Sequence, residues 1–196
     1  MYVRSMKRIL DALLSFVALI LLSPLFGILA LWVKLDSKGP AFFVQERVGK
    51  DKTTFLIYKF RSMKTDAPRD TPTHELGQAN CYITRCGEVL RKYSLDELPQ
   101  LINILKGDMS IVGPRPALPN QLDLIAERDR YGANGVRPGL TGPAQIGGRD
   151  ELPIPEKAAL DGSYVKRITF TGDLVCILKT VAAVIRHSGV VEGAKR

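Results

Sequence analysis

The sequence predicts a mostly helical α+β protein, an apolar N-terminal membrane segment followed by one domain with little sheet. Three observations predict it. An uncharged run from Ala12 to Val33 is long enough, at about 1.5 Å per residue, to match a hydrocarbon core. Two adjacent stretches rich in aromatic and β-branched residues are then followed by segments with helical apolar spacing. No later apolar run reaches membrane-spanning length. At 196 residues the chain suits one core with an appendage, divided as residues 1–35 and 36–196.

Composition narrows the partners. The net charge of +8 favours anionic ones: a lipid surface, phosphorylated small molecules or nucleic acid. Cys81, Cys86 and Cys176 are too few for a disulfide framework and suit a reduced, cytosol-facing compartment. His74 and His187 are too far apart for metal-ligand spacing.

The first element is the apolar segment. Ser23-Pro24 falls in its middle, where proline removes a helical donor and the serine can re-satisfy freed backbone groups. Basic residues flank both ends: Arg4, Lys7 and Arg8 before, Lys34 and Lys38 after. The positive-inside tendency therefore wants both ends on the cytoplasmic side. The residues alone leave a re-entrant hairpin and a kinked span equally open. A cleaved signal peptide is not expected, because the run is too long and lacks a cleavage site.

"AFFVQERVG" and "TTFLIYKFRSM" read as a β-hairpin, Ala41–Val48 with Thr53–Phe60, around the turn-like "GKDK". "TDAPRDTPTHELGQAN" reads as a loop, and "ITRCGEVLRKY" as a short helix. Leu98, Leu101, Ile102 and Leu105 recur with helical spacing and stop before Gly107. "PALPNQLDLIAERDRYG" contains another helix. "VRPGLTGPAQIGGRDELPIP" reads as a long ordered loop of the kind that carries function. "TGDLVCILKTVAAVIRHSG" closes the chain as an amphipathic helix from about Asp173 to His187.

The stretch "SLDELPQL" carries the chemistry. Asp96 and Glu97 stand side by side at a predicted helix start, with either Ser94 or Asp96 as the N-cap. A helix N-terminus favours their ionised forms. Plain capping would explain the pair in isolation, but its surroundings do not suit capping alone. Arg91 and Lys92 precede it. Arg115 lies between two prolines in "GPRP", Arg137 in "VRPG" and Arg149 in "GGRD". Guanidinium forks match phosphate oxygens, and an acidic pair among them suits a diphosphate bridged by magnesium.

"KFRSM", "RKYSLDELPQLINILKGDMSIVGPRP", "RPGLTGPAQIGGR" and "LLSPLF" together resemble the bacterial sugar transferase family, in its short monotopic phosphoglycosyl transferase form. The resemblance covers nearly the whole chain. It implies transfer of a phosphosugar from a nucleoside-diphosphate sugar, with a UDP-sugar as the expected donor, to polyprenol phosphate such as undecaprenyl phosphate. Nucleoside monophosphate is released, in a first membrane step of bacterial glycoconjugate assembly. It also implies Asp96 as nucleophile of a covalent phosphosugar intermediate and Glu97 as its partner, both near Mg2+. Arg115 and Arg149 are then expected at phosphates, with Lys59, Arg91, Arg137 and Asp173 on further substrate-binding positions. The resemblance makes the membrane segment re-entrant, broken at Ser23-Pro24, with amphipathic interfacial helices beside it. The expected location is the cytoplasmic face of a bacterial inner membrane, in contact with membrane lipid and without nucleic acid; a homodimer is left open. Pro143, Ile146, Gly147 and Asp150 depart from the family's pattern and leave the sugar unspecified.

Two other functions fit parts of the sequence. A scaffold using its basic face on lipid or nucleic acid needs no Asp-Glu pair, and a nucleotide-sugar hydrolase needs no lipid acceptor.

Overall fold

The computed structural model describes residues 2, 6–68, 71, 79–148 and 152–186. Helix α1, Lys7–Asp36, is followed by the antiparallel hairpin β1 (Phe42–Val48) and β2 (Thr54–Phe60). Then come α2 (Ala79–Tyr82), α3 (Arg85–Lys92), α4 (Gln100–Lys106), β3 (Ser110–Val112) and α5 (Leu122–Asp129). The chain continues with β4 (Gly139–Thr141), α6 (Pro143–Gly147), α7 (Ile154–Lys166) and α8 (Phe170–Ile185). The mostly helical α+β class agrees with the sequence, including one helix long and apolar enough to cross a membrane.

The helix α1 is assigned without interruption through Ser23-Pro24, so the expected division into two helices is not seen in its secondary structure. The local chemistry explains how it continues. Pro24 has no N–H to offer the Ile20 carbonyl, and the Ser23 hydroxyl donates to that carbonyl instead, at 2.8 Å.

Although α1 is apolar nearly all round, one face packs on the rest of the chain. Asp11, Ser15, Leu29 and Val33 are buried along it. Between them Ala18, Leu19 and Leu22 meet Ile57, Leu101, Ile104 and Met109. Leu25, Phe26 and Ala30 pack where Leu29 and Val33 join Phe60, Cys86 and Leu90. The spacing of three and four residues is that of one helical face. Its other faces leave Leu13, Phe16, Ile20, Leu21, Ile28, Leu31 and Leu35 exposed.

Both ends of α1 are tied down. At the start, Arg8 donates to the Ile104 and Leu105 carbonyls at 2.5 and 2.7 Å, in the last turn of α4. Asp11 accepts from the Ser110 hydroxyl at 2.6 Å. At the far end, buried Arg61 donates to the carbonyls of Val33, Ser37 and Lys38 at 3.3, 2.6 and 2.7 Å. The carbonyls at a helix C-terminus have no intrahelical donors of their own, and Arg61 supplies them here alongside the Ser37 amide, which also donates to Val33. Asp36 accepts from the Cys86 amide at the start of α3.

The hairpin has the register Phe42↔Phe60 to Val48↔Thr54, close to the predicted strands. Its turn places Asp51 and Lys52 in the left-handed region, at φ 54° and 61°. Strand β2 faces α4 through fully buried Asn103, which accepts from the Tyr58 amide at 3.0 Å and donates to the Leu56 carbonyl at 2.7 Å. Helix α4 ends as predicted at Gly107, with φ 101°.

The segment expected to be a long loop contains β4 and α6, and α7 follows it. The strand forms because Gly139 lets the backbone approach Gly113: a Cβ there would lie 2.1 Å from the Gly113 nitrogen. Pairing with β3 is parallel, Ser110↔Gly139 and Val112↔Thr141. Val112, Tyr164 and Cys176 form the core under this sheet. The last helix starts at Phe170, with Thr169 accepting from the Gly172 amide, and His187 lies outside the described residues.

Candidate active site

Asp96 and Glu97 do not begin a capped helix. Ser94 is left-handed at φ 55° and makes no side-chain cap, and Leu95–Glu97 form a 3₁₀ turn before α4. Pro99 accounts for this. It has no N–H, so the chain advances by i→i+3 bonds, Glu97 N to Ser94 O and Leu98 N to Leu95 O.

The turn opens onto a cavity of about 420 Å³. Asp96, Glu97, Lys59, Arg91 and Arg115 line it, so the structure brings five of the predicted site residues together. Lys59 Nζ lies 2.9 Å from Glu97 Oε1, and Arg115 Nη2 lies 3.1 Å from the same oxygen. Asp96 is buried at 7 % exposure. Burial pushes its carboxyl up to about 6, against the opposing pull of Lys59. Burial also acts on Glu97, but Lys59 and Arg115 outweigh it and hold that carboxyl well below the usual range. The two adjacent carboxyls thus sit in different surroundings, Glu97 in a cationic clamp and Asp96 buried beside it.

Arg115 is held by the backbone around it. The segment Gly113–Ala117 has two prolines, so its polar backbone consists largely of carbonyls. Four consecutive carbonyls are taken by donors from three elements, β1, α5 and β4. Gly139 N donates to Pro114 O at 2.8 Å. Arg128 Nη1 donates to Arg115 O at 2.8 Å, Arg47 Nη1 to Pro116 O at 3.2 Å, and Val48 N to Ala117 O at 2.9 Å. Arg128 is itself gripped by fully buried Asp161 of α7, at 2.8 Å from Nε and 2.6 Å from Nη2.

Arg47, Arg128 and Lys157 also line the cavity, and the sequence reading missed all three. Their neighbours gave little signal, since "QERV", "ERDR" and "PEKAA" read as ordinary charged surface. With Lys59, Arg91 and Arg115 they bring six cationic side chains to a cavity that also holds Asp96 and Glu97. Such a cavity suits a polyanion.

Two predicted residues lie elsewhere. Arg137 is exposed and donates from Nε to the Gly107 carbonyl at 2.8 Å, drawn to the negative end of α4. Asp173 is buried, accepting from the Tyr2 hydroxyl, Lys7 Nζ and the Tyr164 hydroxyl at 2.7, 2.6 and 2.8 Å. It sits in the first turn of α8, which faces the start of α1 rather than the cavity. Arg149 lies outside the described residues, and Ser23 and Pro24 are in α1, which contributes no described residue to the cavity.

Comparison with known proteins finds relatives that match nearly the whole chain. The exopolysaccharide production protein ExoY of Sinorhizobium fredii is 39% identical over 197 residues, covering 93% of this chain and 87% of its own. The UDP-glucose:undecaprenyl-phosphate glucose-1-phosphate transferase of Caulobacter vibrioides is 39% identical over 188 residues, covering 91% and 69%. The undecaprenyl-phosphate galactose phosphotransferase of Salmonella typhimurium is 36% identical over 201 residues, covering 95% of this chain and 42% of its own. The family described as bacterial sugar transferase matches residues 2–187, a span running from α1 through the acidic pair to the end of α8, and the chain belongs to that family.

Proposed function

We propose that this chain transfers a phosphosugar from a UDP-sugar to undecaprenyl phosphate through a covalent intermediate on Asp96. The observation that carries the reading is the buried Asp96 carboxyl beside Glu97, which Lys59 and Arg115 clamp, in a cavity lined by six cationic side chains. The names of the relatives support the donor and acceptor classes.

In the first half-reaction a carboxylate oxygen of Asp96 attacks the sugar-linked phosphorus. The bond from phosphorus to the bridging oxygen breaks, and nucleoside monophosphate leaves with the electron pair. In the second, an oxygen of the lipid phosphate attacks the same phosphorus and Asp96 regains its carboxylate. Dividing the transfer lets a soluble donor and a membrane-held acceptor use one site in turn. Arg115, fixed by four backbone contacts, stabilises charge on the transferring group without reorganising.

The donor set suits magnesium, which takes one or two carboxylates and completes its shell with water and phosphate oxygens. Lys59 and Arg115 both engage Oε1 of Glu97, so its second oxygen takes part in neither ion pair. Magnesium held by Asp96 and Glu97 would offset the negative charge of the diphosphate.

The contacts of α1 along its length support a monotopic placement, with the domain on the cytoplasmic face; the continuous α1 lends no support to a bend at Ser23-Pro24. Lys7, Arg8 and Asp11 at one end and Asp36 and Ser37 at the other all meet the same domain. A crossing would separate those ends by roughly 30 Å of hydrocarbon. The apolar outer residues of α1 and α8 are then the interfacial surface.

Enzyme given UDP-sugar and magnesium without lipid should release nucleoside monophosphate once, up to one equivalent. The peptide containing Asp96 should gain the mass of a phosphosugar. Asp96→Asn should abolish both signals. Continuous release without lipid would indicate a hydrolase, and no release with the correct sugar would indicate direct transfer.

A further inference from the structure

Apolar residues form the other side of the cavity, and α8 supplies a wall of it. Ile177, Thr180, Val181 and Val184 of that helix line the cavity together with Leu98 and Leu140. Val181 is also 51% exposed, so it belongs both to the cavity and to the outer surface. From there the apolar surface continues along α8 through Leu174, Leu178 and Ile185, all exposed. The inner face of α8 is anchored by Cys176 in the core and by Thr180, whose hydroxyl lies 2.6 Å from that of Thr141.

A nucleotide sugar is polar along its length and accounts only for the cationic side. An amphiphile with an anionic head and a hydrocarbon tail accounts for both sides. We propose that α8 is the track for the isoprenoid chain of the acceptor, which enters over Val181 and carries its phosphate toward Asp96. This rests on the phosphosugar-transfer reading above and adds the place where the acceptor lies. Helix α1, although the longest apolar element, gives the cavity no described residue and serves as the anchor beside the track.

Val181→Gln and Val184→Gln would each put a polar side chain on the track, and Leu21→Gln would put one on the exposed face of α1, which gives the cavity no described residue. The full chain in nanodiscs is assayed with undecaprenyl phosphate and with the two-isoprene acceptor geranyl phosphate. The Val181 and Val184 variants should raise the KM for undecaprenyl phosphate roughly tenfold, as expected from losing one apolar side chain's contact. The lipid-free burst and membrane association should remain, geranyl phosphate should be affected less, and Leu21→Gln should behave as wild type.

Equal effects of all three variants would overturn the track and leave α8 a membrane anchor only. So would an unchanged KM at Val181 and Val184. If a variant does not fold, a diazirine-bearing polyprenyl phosphate tests wild-type enzyme directly. Crosslinks should map to residues 174–186, and crosslinks confined to α1 would overturn the proposal. The KM comparison is made at steady state. A missing burst would therefore count against the covalent mechanism while leaving the track to stand or fall by itself.

Discussion

At Asp96 the fold retains a proton that water would remove. Its carboxyl is pushed up to about 6 by burial, above an unfolded value of about 3.9, so folding favours the protonated form. Stability contributed this way is fully present below about pH 4 and declines as pH rises through about 6. Asp96→Asn, a neutral mimic, should therefore stabilise the fold at pH 7.5 with magnesium chelated, by on the order of 2 kcal/mol, read as a higher melting temperature. The gain should disappear near pH 4; equal melting curves at pH 7.5 would contradict it. Attack requires the ionised form, so the burst rate of wild-type enzyme should climb between pH 5 and pH 7. Glu97 titrates far below that window because of Lys59 and Arg115, and should add no second inflection there.

Among the elements, the Gly113–Ala117 segment shows how a site residue can depend on distant ones. Arg128→Met would leave the fully buried Asp161 carboxylate without its cation and Arg115 O without its donor. Losing one member of such a pair costs about 3–5 kcal/mol. Arg128→Lys keeps the charge but cannot span both groups with a fork. It should fold and show a lowered kcat, with the KM for UDP-sugar changed little; an unchanged kcat would mean Arg115 needs no such support. Asn103→Ala should cost about 2–3 kcal/mol by orphaning the Tyr58 amide and Leu56 carbonyl, measured by denaturation, without altering the burst stoichiometry. The hairpin, α3, α4 and its Gly107 stop were legible in the sequence because their signals are local: alternation, helical spacing and a stop glycine. So were Asp96, Glu97, Lys59, Arg91 and Arg115 as companions. Strand β4 was not, since three residues pair there only because Gly139 and Gly113 meet across distant sequence. Helix α7 was obscured by the Gly/Pro-rich stretch before it, and the roles of Arg128 and Asp161 exist only once α5 and α7 pack.

Across the whole molecule, the boundary drawn at residue 35 does not separate two folding units. Leu29 and Val33 belong to the same core as Phe60 and Leu90, and Arg61 is buried on carbonyls at the end of α1. Removing residues 1–36 should leave that arginine and the apolar faces of α4 and β2 bare. The truncated chain should aggregate or lack a cooperative transition; a soluble fragment with normal melting and a normal burst would contradict this. The shared core also fixes an order of events during synthesis. Helix α1 leaves the ribosome before the surfaces that cover its inner face, and Asp173 is the last of its polar partners to follow. Until then α1 has only lipid to cover it, while Lys7 and Asp11 wait for partners made much later. On the proposed membrane placement the bilayer then acts as a holding surface for an unfinished protein, and the carboxylate of Asp173 closes the structure only after α7 has been translated.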